Sequence, residues 1–278
     1  MIGSTWMEAV LLGLLQGLTE FLPVSSSAHL RILGAFMPAG GDPGAAFTAI
    51  TQLGTEAAVL IYFRKDIARI GRAVFGQLLG RRANRADARL GWLVVAGTIP
   101  IVVAGLAFKP LIETSLRNLY VTAAMLIVFG LMLGLADRLG AGKRPLALLT
   151  PKHGMLLGIA QALALVPGVS RSGGTISAAL ALGYTREAAA RYSFLLAIPA
   201  VLASGLYQLH ASWGDFGTIG ADGTALATLV AFVTGFGVIA VFLRLIAVCS
   251  FQPFVTYRLV LGTVLLGLLL AGVLPAEA

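Results

Sequence analysis

Residues 16–29 read Gln-Gly-Leu-Thr-Glu-Phe-Leu-Pro-Val-Ser-Ser-Ser-Ala-His and interrupt an apolar stretch that covers residues 6–37. A second break, Val-Pro-Gly-Val-Ser-Arg-Ser-Gly-Gly at residues 166–174, interrupts the apolar stretch 154–184. A membrane-spanning helix needs about 20 apolar residues, so neither half of such a stretch is long enough to span. Irregular backbone at membrane depth is tolerated only where protein or a water-filled cavity satisfies its polar groups. Both stretches are therefore predicted to form re-entrant helical hairpins.

The rest of the chain also indicates a lipid environment. Of the 278 residues, 58% are hydrophobic and only 12% are charged, whereas soluble domains carry about 25% charged residues. The mean hydropathy is +0.91. Six further stretches are long and apolar enough to span a bilayer, at residues 46–63, 91–109, 118–136, 190–209, 224–243 and 257–275. The fold class predicted from this pattern is an all-α integral membrane protein.

The basic charge is concentrated in one linker. The net charge is +8, and eight of the twenty Lys and Arg residues lie between Arg64 and Arg89. Positive loops resist translocation, so this linker and the basic linker 137–153 are predicted to be cytoplasmic, and no nucleic-acid partner is expected. The linkers 110–117 and 210–223 are poor in positive charge and are predicted to lie outside. Cys249 is the single cysteine, and the sequence indicates no zinc or redox site.

The two broken stretches resemble each other at a constant offset of 145 residues. Gly13 matches Gly158, Gln16 matches Gln161, and the pattern Val-Ser-x-Ser recurs at residues 24–27 and 169–172. Each half of the chain then holds one hairpin and three spans, and an odd number of spans inverts the second half. The sequence therefore predicts a single membrane domain, residues 1–278, built as an inverted repeat of residues 1–137 and 138–278, with both chain ends outside. This plan places a binding site near the midplane, where the broken helices meet.

Polar side chains at membrane depth are costly and usually functional, and here they lie at the two breaks. Gln16 and Glu20 are four residues apart, so they share one helix face. Ser25 or Ser26 can cap the following helix, whose first turns carry His29. In the second hairpin Ser170 begins a helix whose first turns carry Arg171, Ser172 and Thr175. Free N–H groups at a helix start attract phosphate, and an arginine adds a bidentate clamp. If the hairpins touch, this set suits phosphoryl transfer.

Less specific interpretations apply to each residue. Serine in a membrane helix is more often packing or interhelical hydrogen bonding than a nucleophile. Glu20 and Arg171 could form a structural ion pair. For Arg31, snorkelling of the side chain to the interface is the expected behaviour. Glu56, within the first full span, is expected to be structural or to face a cavity. The placement of both polar sets on broken hairpins favours the functional interpretation.

The residues from Gln16 to His29 resemble the first signature of the undecaprenyl-diphosphatase family linked to bacitracin resistance. The segment from Pro167 to Thr175 resembles its second signature, and Gln52-Leu-Gly-Thr55 is similar to a further family segment. The resemblance covers essentially the whole chain. It implies hydrolysis of undecaprenyl diphosphate to the monophosphate, which recycles the lipid carrier for peptidoglycan synthesis. It also implies a site on the outer side of the bacterial plasma membrane and a divalent cation, Mg²⁺ or Ca²⁺.

The resemblance further implies which residues act. The catalytic core would be Glu20, Ser26, His29 and Arg171, with Glu20 also holding the metal. The residues implied to bind the substrate phosphates are Gln16, Ser25, Ser27, Ser170, Ser172 and Thr175. Gln16 occupies the first position of the Glu/Gln-x-x-x-Glu pattern of the family and leaves one carboxylate fewer for metal. Ala28 stands where glycine is usual.

Two mechanisms and two functions stay open at this point. Ser26 could attack the terminal phosphorus with His29 or Glu20 taking its proton, or water could attack directly with His29 as the base. An inverted repeat with broken helices is also a transporter plan, so the alternative function is a flippase for the lipid monophosphate. The oligomeric state is open, with a homodimer as one option.

Overall fold

The computed structural model describes residues 2–37, 43–140 and 142–276 of the chain. These residues form twelve α-helices, and no β-strand occurs among them beyond one isolated bridge between Arg144 and Tyr184. Met1 and residues 277–278 lie outside the described part, so the predicted location of the chain ends falls there. The helices are α1 Ile2–Thr19, α2 Ser26–Ala35, α3 Gly44–Tyr62, α4 Arg64–Leu78, α5 Arg85–Ala107, α6 Lys109–Glu113, α7 Leu119–Leu139, α8 Pro151–Ala162, α9 Arg171–Ala181, α10 Arg186–Ala211, α11 Gly220–Ile246 and α12 Gln252–Leu270.

The fold is that of an all-α integral membrane protein, as predicted. Six helices, α3, α5, α7, α10, α11 and α12, are long and apolar enough to cross a membrane, and each overlaps one predicted span. Their outward faces carry large apolar side chains such as Leu135, 61% exposed, and Val103, 58% exposed. A water-soluble protein of this size would not expose so many, because apolar surface in contact with water is unfavourable.

The two broken stretches form helix–break–helix units. The first consists of α1, the break 20–25 and α2, and the second consists of α8, a short 3₁₀ turn at Leu163–Leu165, the break 166–170 and α9. In the first unit α1 has 18 residues and begins at Ile2, four residues before the predicted apolar stretch 6–37. The second unit begins at a helix cap, because the Thr150 side chain accepts a hydrogen bond from the His153 N–H at the start of α8.

Glycines set the packing between the hairpins and the spans. The first hairpin helix α1 packs along α11, and a Cβ on Gly13 would lie 2.5 Å from the Ala227 carbonyl oxygen. The second hairpin's first helix α8 packs along α5, and a Cβ on Gly158 would lie 2.3 Å from the Gly97 carbonyl oxygen. Only glycine permits such backbone approach. The two matched glycines therefore mark the crossing of α1 with α11 and that of α8 with α5.

Two features differ from the sequence-based expectation. The linker 64–89 contains the amphipathic helix α4, which packs against α5. This helix has basic residues and a small apolar face in place of a continuous apolar run. Arg31 does not snorkel to the interface. It is 1% exposed and donates to the Thr122 hydroxyl at 3.1 Å and to the Arg117 carbonyl, so α2 is tied to the start of α7.

Candidate active site

The two breaks end in the same backbone conformation. Ser25 and Ser170 are the residues with positive φ other than glycine in the described part of the chain, at +73° and +71°. Each caps the helix that follows: Ser25 Oγ accepts from the Ala28 N–H at 3.4 Å, and Ser170 Oγ accepts from the Gly173 N–H at 3.1 Å. A serine at positive φ costs about 1–2 kcal/mol, and such strain concentrates at functional sites.

The hairpin tips contact each other directly. Arg171, the first residue of α9, forms an ion pair with Glu20 Oε1 across the two breaks. Ser172 Oγ donates to the Leu22 carbonyl at 3.1 Å. The starts of α2 and α9 therefore meet at one place, and the ion pair considered as a structural alternative is present at that junction.

Glu20 lies at the centre of the polar cluster. Its Oε2 accepts from Ser26 Oγ at 2.6 Å and from Gln16 Nε2 at 2.7 Å, while its Oε1 accepts from Arg171. The Glu20 side chain is only 4% exposed, so these three donors replace the water that a carboxylate requires. The Ser26 hydroxyl, in consequence, points its proton at a carboxylate.

A cavity of about 510 Å³ begins at this cluster. Glu20, Ser26 and Arg171 line its polar end. The remaining wall is largely apolar and comes from α3, from the second half of α5 and from the second half of α10. Lys109 and Tyr207 lie at the other end, with the ammonium 5.3 Å from the centre of the tyrosine ring. A long apolar cleft with a compact polar end suits an amphiphile with an anionic headgroup.

The structure separates the predicted site residues into two layers. Those that line the cavity are Glu20, Ser25, Ser26, Ser27, Ser170 and Arg171. Gln16, His29, Ser172 and Thr175 lie behind the cavity wall, each less than 9% exposed. Gln16 and Ser172 support the first layer through hydrogen bonds to Glu20 and Leu22. Thr175 is fully buried, with no hydrogen-bond partner for its hydroxyl among the described residues.

The ring nitrogens of His29 both have hydrogen-bond partners other than Ser26. Nδ1 lies 2.7 Å from the Ser25 carbonyl and Nε2 lies 2.6 Å from the Tyr257 hydroxyl. A carbonyl only accepts, so Nδ1 carries a proton, and in a neutral ring Nε2 accepts from the tyrosine. Through Nδ1, His29 holds the backbone of Ser25 in its strained conformation.

Arg258 is a residue of the site that the motif analysis missed. It lies in α12, is fully buried, and donates to the Pro23 carbonyl at 3.0 Å in the first break and to the Gly168 carbonyl at 2.8 Å in the second. One guanidinium thus satisfies backbone acceptors of both breaks, which the membrane interior would otherwise leave unpaired. A sequence signal existed, because Arg258 is an ionisable residue inside a predicted span. Tyr257, the preceding residue, was missed in the same way.

The cluster can hold a divalent cation only with oxygen ligands of mixed origin. Within residues 2–37, 43–140 and 142–276, no three His, Cys, Asp or Glu side chains are grouped as a metal site. Mg²⁺ is commonly bound by one or two carboxylates together with water and substrate phosphates, so such a group is not required. Gln16 Oε1, on the side chain bonded to Glu20, is buried and has no hydrogen-bond partner in the described part of the chain. The hard oxygen atoms around Glu20 therefore fit Mg²⁺ or Ca²⁺.

Comparison with known proteins agrees with this geometry. The family model of the bacitracin resistance protein BacA matches residues 9–264, which include both hairpins and five complete spans. The chain belongs to the BacA family. This BacA-family chain is 64% identical to undecaprenyl-diphosphatase 2 of Agrobacterium fabrum over 272 residues, which cover 98% of each protein. It is 60% identical to the undecaprenyl-diphosphatase of Micrococcus luteus over 276 residues, 98% of this chain and 100% of the relative.

The family match confirms the resemblance that the two sequence motifs indicated. The motifs around Glu20 and Arg171 both lie within the matched region. Together with the six spanning-length helices, membership makes this BacA-family chain a multi-pass protein of the bacterial plasma membrane.

Proposed function

We propose that this protein hydrolyses undecaprenyl diphosphate to undecaprenyl phosphate and inorganic phosphate, which recycles the lipid carrier for peptidoglycan synthesis and gives resistance to bacitracin. The observation that carries the proposal is the Ser26–Glu20–Arg171 cluster at the polar end of an apolar cavity. It joins a hydroxyl, a proton acceptor and an anion-binding cation at one point. The names of the relatives from Agrobacterium fabrum and Micrococcus luteus support the same substrate.

In the first step Ser26 Oγ attacks the terminal phosphorus. The Oγ–P bond forms, the bridging P–O bond breaks, and undecaprenyl phosphate leaves. Glu20 Oε2, 2.6 Å from Oγ, takes the serine proton and passes it to the departing lipid phosphate. Glu20 is favoured over His29 as the base, because both His29 nitrogens are engaged by Ser25 and Tyr257.

In the second step water attacks the phosphoserine. Glu20 takes one proton from the water, the P–Oγ bond breaks, and the Ser26 oxygen recovers that proton from Glu20. Arg171 provides positive charge for the phosphoryl oxygens in both steps, and the free N–H groups at the starts of α2 and α9 add hydrogen bonds. Because Arg171 is paired with Glu20 before substrate binds, it can share or exchange that partner with the phosphate.

A divalent cation is part of the proposal. When bound, Mg²⁺ or Ca²⁺ would neutralise charge on the diphosphate oxygens, and Glu20 with Gln16 Oε1 would hold it. The apolar wall of the cavity, including Ile101, Val102 and Leu106, would accommodate the first isoprene units.

The proposed orientation places the site on the outer side, with the chain ends outside. Its support is the basic α4 region on one side and the cavity rim at Lys109 and Tyr207, beside the charge-poor linkers, on the other.

The proposed inverted repeat of residues 1–137 and 138–278 rests on matched elements. The pairings α1 with α11 and α8 with α5 exchange when the halves are exchanged, and Ser25 and Ser170 share one conformation.

The test is phosphate release from a polyprenyl diphosphate by purified protein in detergent, with and without chelator. We expect chelator-sensitive release and, on rapid acid quench, a phosphoserine at Ser26 that Ser26→Ala abolishes. Release without any trapped phosphoserine would favour direct attack by water.

The same assay separates the hydrolase from the flippase, since detergent leaves no bilayer to cross. Failure of well-folded wild-type protein to release phosphate would overturn the proposed hydrolase and leave the flippase, to be tested by movement of polyprenyl phosphate across liposomes.

A further inference from the structure

Glu56 is a buried carboxyl group that the mechanism above does not use. It lies in α3, a membrane-spanning helix, and is 2% exposed. Its Oε1 has no hydrogen-bond partner among the residues that the structure describes. A buried carboxyl oxygen without a partner is costly, and such an atom in a folded protein calls for a bound water, ion or substrate.

The register of α3 places Glu56 next to the inner end of the cavity. Ala45, Ala49 and Gln52 line the cavity at spacings of four and three residues. Glu56 is the next position on that helix face, four residues beyond Gln52 and about 6 Å further along the axis. This direction leads away from the rim at Lys109 and Tyr207.

Contacts of the neighbouring residue fix the depth of Glu56 relative to Glu20. A Cβ on Gly235 of α11 would lie 3.1 Å from the Phe21 ring and 3.2 Å from Thr55 Cγ2. The residue after Glu20 and the residue before Glu56 therefore meet at the same point of α11.

Glu20 alone offers a cation little free coordination. A carboxylate has about four lone-pair positions, and Ser26, Gln16 and Arg171 donate to three of them. Position 16, one turn before Glu20, carries the amide of Gln16 and not a second carboxylate. Among the described residues Glu56 Oε1 has no hydrogen-bond partner, and neither has Gln16 Oε1, whose amide nitrogen donates to Glu20.

We propose that Glu56 is the second carboxylate ligand of the divalent cation of this site, supplied from α3 to the cluster around Glu20. The inference rests on the proposed function, because that reaction is what brings diphosphate and cation to the cavity. Two carboxylates with substrate phosphates and water form a usual Mg²⁺ environment. Metal binding would also give the orphan oxygen of Glu56 the partner that the protein does not provide.

The experiment measures binding of Mn²⁺ alone to the purified full-length protein in detergent, from the loss of the free Mn²⁺ resonance in electron paramagnetic spectra. We expect Glu56→Gln, which keeps the size of the side chain, to raise the Mn²⁺ dissociation constant at least about 10-fold. The matched control is Glu8→Gln, which alters another buried carboxyl group on α1 that does not line the cavity. Its dissociation constant should stay within about twofold of wild type.

A second variant keeps the test decisive if Glu56→Gln does not fold. Glu56→Asp retains a carboxylate on a shorter stem. Its affinity for Mn²⁺ should be lower than that of wild type and of Glu8→Gln, but binding should still be measurable. Wild-type affinity in either folded Glu56 variant would overturn the inference. Wild-type protein that hydrolyses polyprenyl diphosphate but binds no Mn²⁺ would overturn it too, while the proposed hydrolase would stand. Absence of hydrolysis in wild type would instead count against the proposed function.

Discussion

The two hairpins use one backbone design for two chemical tasks. Each break ends in a serine at positive φ that caps the next helix. The first residue of that helix is Ser26 in one hairpin and Arg171 in the other, at the common offset of 145. One hairpin therefore presents a hydroxyl beside a carboxylate, and the other presents a guanidinium. The two breaks share a backbone conformation, and the residue that follows it is the nucleophile of the proposed mechanism in one hairpin and its anion-binding group in the other.

The largest expected effect comes from replacing Ser26 or Arg171, the two residues at equivalent positions of the hairpins. Ser26→Ala and Arg171→Ala should each lower kcat/KM for phosphate release by about 10³-fold or more, because one removes the nucleophile and the other the charge on the phosphoryl oxygens. Arg171→Lys should recover part of the loss, since it restores the charge without the bidentate fork.

Thermal unfolding of each variant is the control for these rates. A loss of less than tenfold in folded Ser26→Ala would contradict the assigned role of the hydroxyl. Equal activity in Arg171→Ala and Arg171→Lys would show that positive charge alone at this position does not aid the reaction.

An intermediate effect should distinguish the paired glutamines. Gln16 donates to Glu20 at 2.7 Å, whereas neither side-chain polar atom of Gln161 has a partner in the described part of the chain. Gln16→Met should lower the rate about 10-fold, the equivalent of about 1.4 kcal/mol, because a donor to a charged group is lost.

Gln161→Met is the matched variant in the other hairpin. It should leave the rate within about twofold and should keep or raise the unfolding temperature, because it removes a buried amide that lacks partners. A large loss of activity in Gln161→Met would show that the second glutamine also acts in the site.

The smallest effect should be the same in both hairpins. Ser25→Ala and Ser170→Ala each lose a helix cap while the Cβ at positive φ stays, so each should lower the free energy of unfolding by about 1–2 kcal/mol. Ser25→Gly and Ser170→Gly keep the backbone conformation and should cost only a few tenths of a kcal/mol. Thermal unfolding in detergent measures all four.

Unequal costs in the two hairpins would indicate that the shared conformation is held in different ways. The additional hydrogen bond from His29 Nδ1 to the Ser25 carbonyl, at 2.7 Å, is the first difference to examine in that case.

Much of the fold was predictable because lipid imposes simple length and composition rules. The six spans and the two breaks follow from apolar run length and from Pro, Gly and Ser within otherwise apolar sequence. Helix α4 was missed as a helix because its pattern is amphipathic and charged. Arg31 was assigned to the interface, since a sequence does not show that Thr122 and the Arg117 carbonyl lie within its reach.

The residues of the site were predictable to a lesser degree. Glu20, Ser26 and Arg171 lie in motifs whose residue types suit phosphoryl transfer. Arg258 was missed, although it is an ionisable residue in a span, because its partners are backbone carbonyls of two breaks that lie 235 and 90 positions away. His29 was predicted as a possible base, and only its contacts with Ser25 and Tyr257 are the reason why the proposed mechanism assigns that role to Glu20.

The amino-acid sequence by itself determined that this chain is a membrane protein. It also determined where two of its apolar stretches are interrupted and which residue types lie at those breaks. These are local properties, set by hydrophobicity, backbone hydrogen bonding and the conformational preferences of Pro, Gly and Ser. Tertiary structure alone decided that Ser26 and Arg171 both bond to Glu20 and that Arg258 joins the two breaks. Such contacts depend on how helices far apart in sequence cross, and that depends on packing across the whole bundle.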